Sequence, residues 1–183
     1  MSEEIRSVVS ALEGALNAFK SAGIEDTRIF AIYGEYLVAL KLMPLGFDVE
    51  VVNKRSYDIL LDDRIKVEVK TGKHEDGSSA ASFYKGEQIK DGKFDYCVFV
   101  SYDGLQVKEM LVFTRHELEE VALRPRGSPI VRYPKTNPCI LLRYDTLNQY
   151  LNSMEGLTKL DIELELNKHP EKFINRWDKI KVN

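Results

Sequence analysis

A chain of 183 residues, 44% hydrophobic and 30% charged, has the length of one ordinary domain and the composition of a soluble globular protein. No apolar run is long enough to span a bilayer, and the Met1 end (Ser2, Glu3, Glu4) lacks the basic start and apolar centre of a signal peptide, so a cytoplasmic location is expected. The net charge of −3 argues, taken as an average, against a nucleic-acid partner, which usually meets a basic surface.

In chain order, Ile5, Val8, Val9, Leu12, Leu16 and Phe19 recur at helical spacing, which predicts an amphipathic helix over Glu3 to Lys20, closed by Gly23. Arg28 to Met43 reads as a second helix, apolar almost all round and ended by Pro44 and Gly46; such a helix belongs in an interior, lying on a sheet. Phe47 to Val52 reads as a strand, followed by "YDILLDDRIKVEVKTGK", two short strands joined by a tight turn. "HEDGSSAAS" reads as a polar loop and Phe83 to Asp91 as a short helix. "FDYCVFVSY" is the most strand-like run, turned back at Asp103-Gly104 into "EMLVFT". Glu117 to Leu123 reads as a brief helix, "CILLRY" as one more strand, and the segment from Thr146 as helical. Leu157 to Ile180 is expected to be mostly helical with a break near Pro170. The order predicts an α/β fold, a mixed central β-sheet flanked by helices, in a single domain with a core over about 28–115 and a C-terminal extension over 116–183.

Charge is segregated along this order. From Val121 to Tyr144 there is no acid, while Arg124, Arg126, Arg132, Lys135 and Arg143 are interleaved with Tyr133 and Tyr144. A DNA-contacting stretch and a solvated loop with arginines on its rim both fit. Cys97 and Cys139 sit in apolar strand-like runs and read as buried thiols; His74, His116 and His169 are scattered without metal-ligand spacing.

The chemistry is concentrated in the quoted hairpin. In an extended strand, residues two apart project from one face, about 7 Å from each other. Glu68 and Lys70 therefore point together, while Val67 and Val69 point into the core. Whether Asp58 joins them depends on the turn. A two-residue turn at Asp62-Asp63 puts Asp58 on the face of Val67; a three-residue turn, Asp62 to Arg64, sets it across from Glu68. The second register also gathers Tyr57, Ile59, Leu61, Ile65, Val67 and Val69 on one apolar face, so hydrophobic sorting favours it. Glu35 lies in the apolar second helix, with Ala31, Ile32, Val38 and Ala39 three and four residues away, where an unpaired carboxylate is costly. It is either a salt-bridged helix residue or the completing member of a metal site.

Asp58, Glu68, Lys70 and Glu35 in this order resemble the PD-(D/E)xK nuclease superfamily, with its restriction-endonuclease-like fold, over about Arg28 to Val100. One departure is Tyr57, which stands where that motif has Pro. The resemblance implies that Asp58, Glu68 and the backbone carbonyl of Val69 hold Mg²⁺, with Mn²⁺ as a substitute and Glu35 as an accessory ligand. It implies that Lys70 positions or deprotonates the attacking water, and that Gln88 occupies a polar position near the site. With Lys73, Gln88, Arg124, Arg126, Arg132 and Lys135 as DNA contacts, the expectation is a Mg²⁺-dependent DNA endonuclease of restriction or defence type, acting as a homodimer. The competing expectations are a Holliday-junction resolvase or DNA-repair nuclease, an inactive DNA-binding module, and an ordinary α/β scaffold with solvated strand charges.

Overall fold

A computed structural model describes residues 2–24, 27–54, 56–75, 78–84, 93–103, 106–122, 131–132, 139–143 and 170–181. Helix α1 (Ser2–Ser21) turns Ile5, Val9 and Leu16 inward. It ends as its sequence requires: Gly23 adopts φ 68°, a left-handed conformation that costs glycine little, and lets Ile24 N–H reach Phe19 O and Gly23 N–H reach Lys20 O. Helix α2 (Thr27–Leu42) is apolar on two sides because it is covered on two sides. Tyr33 packs with Val9 and Leu16 of α1, while Val38, Ala39 and Leu42 are buried in the main core.

That core is formed with a mixed five-stranded sheet in the order β1-β2-β3-β5-β6, from β1 (Val49–Lys54), β2 (Tyr57–Leu61), β3 (Ile65–Glu75), β5 (Tyr96–Asp103) and β6 (Gln106–Thr114). The β3-β5 pair is parallel and the others antiparallel. One face of the sheet carries Val67, Val69, Val98, Val100, Met110 and Val112 toward α2. Residues alternate along a strand, so Cys97, Phe99, Leu111 and Phe113 bury on the opposite face, where Phe99 meets Phe113 edge-on and Phe113 stacks on Phe173. Helix α3 (Arg115–Ala122) starts where β6 ends, with Thr114 and Glu117 capping each other. Among the described residues, no helix is long and apolar enough to cross a membrane.

Two stretches differ from the sequence reading. Strand β3 continues to Glu75 and Ser78–Tyr84 forms β4, where a polar loop and the start of a helix at Phe83 are predicted; the rest of that helix, 85–91, lies outside the described residues. Strand β4 pairs with β3 and with β8 (Cys139–Arg143), which also pairs with β7 (Val131–Arg132). Partner strands supply the backbone hydrogen bonds there, so Ser- and Ala-rich residues of low strand propensity are held extended. The second difference lies in Leu157 to Ile180, expected to be mostly helical with a break near Pro170. Residues 157–169 and the helix expected from Thr146 up to that point lie outside the described residues, while residues 170–181 are described. They form two single 3₁₀ turns, Pro170–Lys172 and Trp177–Lys179, around a bridge from Ile174 to Leu111. Phe173 O accepts the N–H of Val112 and Asn175 N–H donates to Met110 O, so this segment covers the outer edge of β6.

Candidate active site

The turn between β2 and β3 spans Asp62, Asp63 and Arg64, three residues, and the register is Ile59↔Val67, Leu60↔Lys66 and Leu61↔Ile65. Asp62 and Asp63 take φ values of 49° and 56°, which aspartate tolerates better than most residues. The Asp62 carboxylate accepts the Asp48 N–H at 2.8 Å while Asp62 N–H donates to Asp48 O at 2.9 Å, which ties the turn to the entry of β1. Continued by one residue, the register sets Asp58 against Glu68, on the face opposite Ile59, Leu61, Val67 and Val69, all of which are buried. Tyr57 is the exception: it is half-buried, at the strand end, with the Lys54 and Lys66 ammonium groups 5.5 and 5.6 Å from its ring centre.

Asp58 and Glu68 are themselves buried, at 9% and 3% exposure. Pairing of β3 with β2 ends at Val67 and pairing with β4 begins at His74, while β5 runs along its other edge from Val67 to Lys73. In the interval, the Asp58 carboxylate takes the place of a neighbouring strand and accepts the Val69 N–H at 2.7 Å. An extended residue presents its N–H and C=O to the same edge, so the Val69 carbonyl faces this side too. Lys70 donates to Glu68 and forms an ion pair with it. Cys97 and Phe99, in register with Glu68 and Lys70 on β5, flank the pair.

Glu35 comes to this edge from α2. The approach is close because Gly34 has no side chain: a Cβ there would run into the Thr71 methyl group of β3. Phe30, one turn earlier, stacks on Tyr102 of β5 at 4.3 Å and fixes the start of the helix over the sheet. Helix packing thus brings Glu35 within electrostatic reach of Asp58, Lys70 and Glu68.

Burial and charge set the protonation states. Burial, with Asp58 and then Glu68 adding to it against the opposing Lys70, pushes the Glu35 carboxyl up to about 7. Burial also raises Asp58, against the Val69 hydrogen bond and Lys70. For Lys70 burial works against the ammonium, but Glu68 first and then Asp58 outweigh it and hold the group above its ordinary value. The Cys97 thiol is driven well up, by burial first and then by Glu68, so it stands as a neutral thiol and not as a nucleophile.

The donor set suits a hard divalent cation: two carboxylates on one face, a carbonyl edge and a third carboxyl whose protonation is raised by burial first and then by the other two. Among the described residues no group of three or more His, Cys, Asp or Glu is gathered tightly enough to hold a metal ion as it stands. Glu68 turns to Lys70 and Asp58 to the Val69 N–H. Of the expected DNA contacts, Lys73 lies in β3 and Arg132 in β7 as backbone positions only, while Gln88, Arg124, Arg126 and Lys135 lie outside the described residues.

A stability test follows for divalent-ion-free buffer. Between the ordinary carboxylate value of 4.5 and about 7, the folded Glu35 keeps a proton that the unfolded chain releases, so stability falls as pH rises through that window. Asp58 acts with the same sign. Glu35→Gln is expected to shrink this slope and to raise stability at pH 8 by about 1–3 kcal/mol, with little change at pH 4. Urea unfolding at both pH values measures it; an unchanged slope would place Glu35 in solvent.

No protein-family model matches this chain, and no curated protein matches it. Among solved structures it is similar to a bacterial homing endonuclease, I-Ssp6803I, at 14% sequence identity and a TM-score of 0.46, over 84% of this chain and 91% of that one.

Proposed function

We propose that this chain is a Mg²⁺-dependent endodeoxyribonuclease of restriction or defence type, hydrolysing phosphodiester bonds as a homodimer. The observation that carries the reading is the three-residue turn, which sets Asp58 on the face of Glu68 and Lys70 at the point where Glu35 arrives from α2. The motif resemblance supplies the reaction class. Asp58, Glu68 and the Val69 carbonyl would hold the cation, with Glu35 as accessory ligand. A bound Mg²⁺ supplies charge neutralisation at the phosphate and a lowered pKa for its water. The Lys70 ammonium, held charged by its neighbours, serves as a hydrogen-bond donor and positive charge beside developing negative charge. That state favours positioning of the attacking water over its deprotonation. Burial of Asp58 and Glu68 excludes water from their carboxylates and strengthens both interactions.

A second reading, an inactive DNA-binding module, draws on the Lys70–Glu68 ion pair, which engages the carboxylate that the cation needs. The two are separated by incubating the chain with plasmid, four-way-junction and single-stranded DNA, with and without Mg²⁺, alongside calorimetric titration with Mg²⁺ and Mn²⁺. The nuclease reading expects Mg²⁺-dependent cleavage of the plasmid and a saturable ion isotherm that weakens below pH 7, as protons compete for Glu35. Binding of DNA without cleavage under every metal would leave the module; preferential cutting of the junction would move the activity to the resolvase class.

A further inference from the structure

At the start of β3 and β5, away from the carboxylates, lies a cavity of about 380 Å³ lined by Arg64, Ile65, Asp95, Tyr96, Thr114, Arg115, His116 and Lys181. Its three permanent cations come from distant parts of the chain: the β2-β3 turn, the first residue of α3 and the C-terminal segment. The single carboxylate among the lining residues, Asp95, is exposed and is tied to the scaffold through one oxygen. It accepts the Lys66 N–H at 2.9 Å, while its backbone N–H donates to Lys66 O and its carbonyl accepts the Arg115 N–H. Asp95 therefore joins the starts of β3, β5 and α3.

Like charges brought to one concavity repel. Arg64 and Lys181 stand at exposed positions where the chain has every freedom to turn them apart. A cavity that instead gathers guanidinium, ammonium and imidazole groups beside the Tyr96 and Thr114 side chains matches an oxyanion with several acceptor oxygens. Guanidinium groups suit such a ligand best, since their fork donates two parallel hydrogen bonds to a tetrahedral oxyanion.

We infer that this cavity is a phosphate-binding site, taking a phosphate-type oxyanion between Arg64, Arg115 and Lys181. The inference goes beyond the nuclease reading and does not depend on it. The ligand is either a backbone phosphate of bound DNA or a free phosphate-bearing small molecule. The first source has a geometric argument: Ile65 lies three residues from Glu68 along β3, about 10 Å, within reach of a neighbouring stretch of one bound strand.

The test is titration of the isotopically labelled full chain with inorganic phosphate, with sodium chloride at matched ionic strength as control, followed by amide chemical shifts. Saturable shifts at Arg64, Thr114, Arg115, His116 and Lys181, absent with chloride, are the expected result. Arg64→Gln, Arg115→Gln and Lys181→Gln should each weaken phosphate about 10-fold, and the triple variant should lose it. Arg115→Lys should bind at intermediate strength, as charge is kept and the fork is lost. Displacement of phosphate by a short DNA duplex identifies the backbone as the source; phosphate retained with duplex bound elsewhere identifies a small molecule. Absence of saturation in the wild-type chain, or equal shifts with chloride, overturns the inference whatever the variants do. Because this measurement needs neither Mg²⁺ nor cleavage, its failure and a failure of the nuclease reading are separate outcomes.

Discussion

On the proposed nuclease reading, Asp58→Asn and Glu68→Gln are each expected to reduce Mg²⁺-dependent DNA cleavage by about 10³-fold or more, because a bound cation contributes several kcal/mol of charge stabilisation and each variant removes one of the two main carboxylates that would hold it. DNA affinity, measured without metal, should stay near that of the wild type, since neither carboxylate is placed against the DNA backbone. Stability should separate the two variants. An Asn at position 58 can still accept the Val69 N–H through its side-chain oxygen and no longer carries a buried charge, so its melting temperature should hold or rise. A Gln at position 68 deprives the Lys70 ammonium of its ion-pair partner in a mostly buried site and should lower stability by about 1–2 kcal/mol. Loss of cleavage in both, with stability moving in different directions, ties activity to the carboxylates and not to folding. Full cleavage by the Asn variant would remove Asp58 from the site and the metal with it.

The second large effect concerns what stands beneath the site. Phe99 is in register with Lys70, is 1% exposed, and meets Phe113 edge-on with ring centres 5.5 Å apart. Phe99→Ala empties that volume where strands on both sides prevent collapse, and is expected to cost about 3–5 kcal/mol. For a chain of this size that corresponds to a fall in melting temperature of roughly 10–15 °C. The exposed Ile32, changed to Ser, serves as the contrast and should move the melting temperature by no more than about 2 °C. Equal effects for the two changes would mean that the Cys97-Phe99-Phe113 face is not a packed layer. At temperatures where Phe99→Ala is still folded, its Lys70–Glu68 pair should be more mobile, and any cleavage should fall with it.

The sequence by itself determined whatever depends on local period and volume. Helix α1 was legible from the spacing of Ile5, Val9 and Leu16, and its end from Gly23. The hairpin register was legible in part because side chains alternate strictly: only a turn with an odd number of residues, three or five about Asp63, puts Ile59, Leu61, Val67 and Val69 on one face, and the same alternation carries Asp58 to Glu68's face; the structure has three. Two aspartates in the turn made its left-handed backbone tolerable. Tertiary structure alone decided what depends on partners. Strand β4 exists through its pairing with β3 and β8, since Ser and Ala carry no strand period of their own, and "HEDGSSAAS" read as a loop for that reason. Residues 170–181 look helical in composition but spend their backbone groups on the edge of β6. Glu35 was suspect from its apolar neighbours, yet its raised protonation depends on how closely Gly34 lets α2 approach Thr71. Cys97 and Phe99 came to flank the carboxylates through a parallel pairing that nothing in "FDYCVFVSY" specifies. The meeting of Arg64, Arg115 and Lys181 was least legible of all, because three cations far apart in sequence share a cavity only after the sheet, α3 and the C-terminal segment have packed.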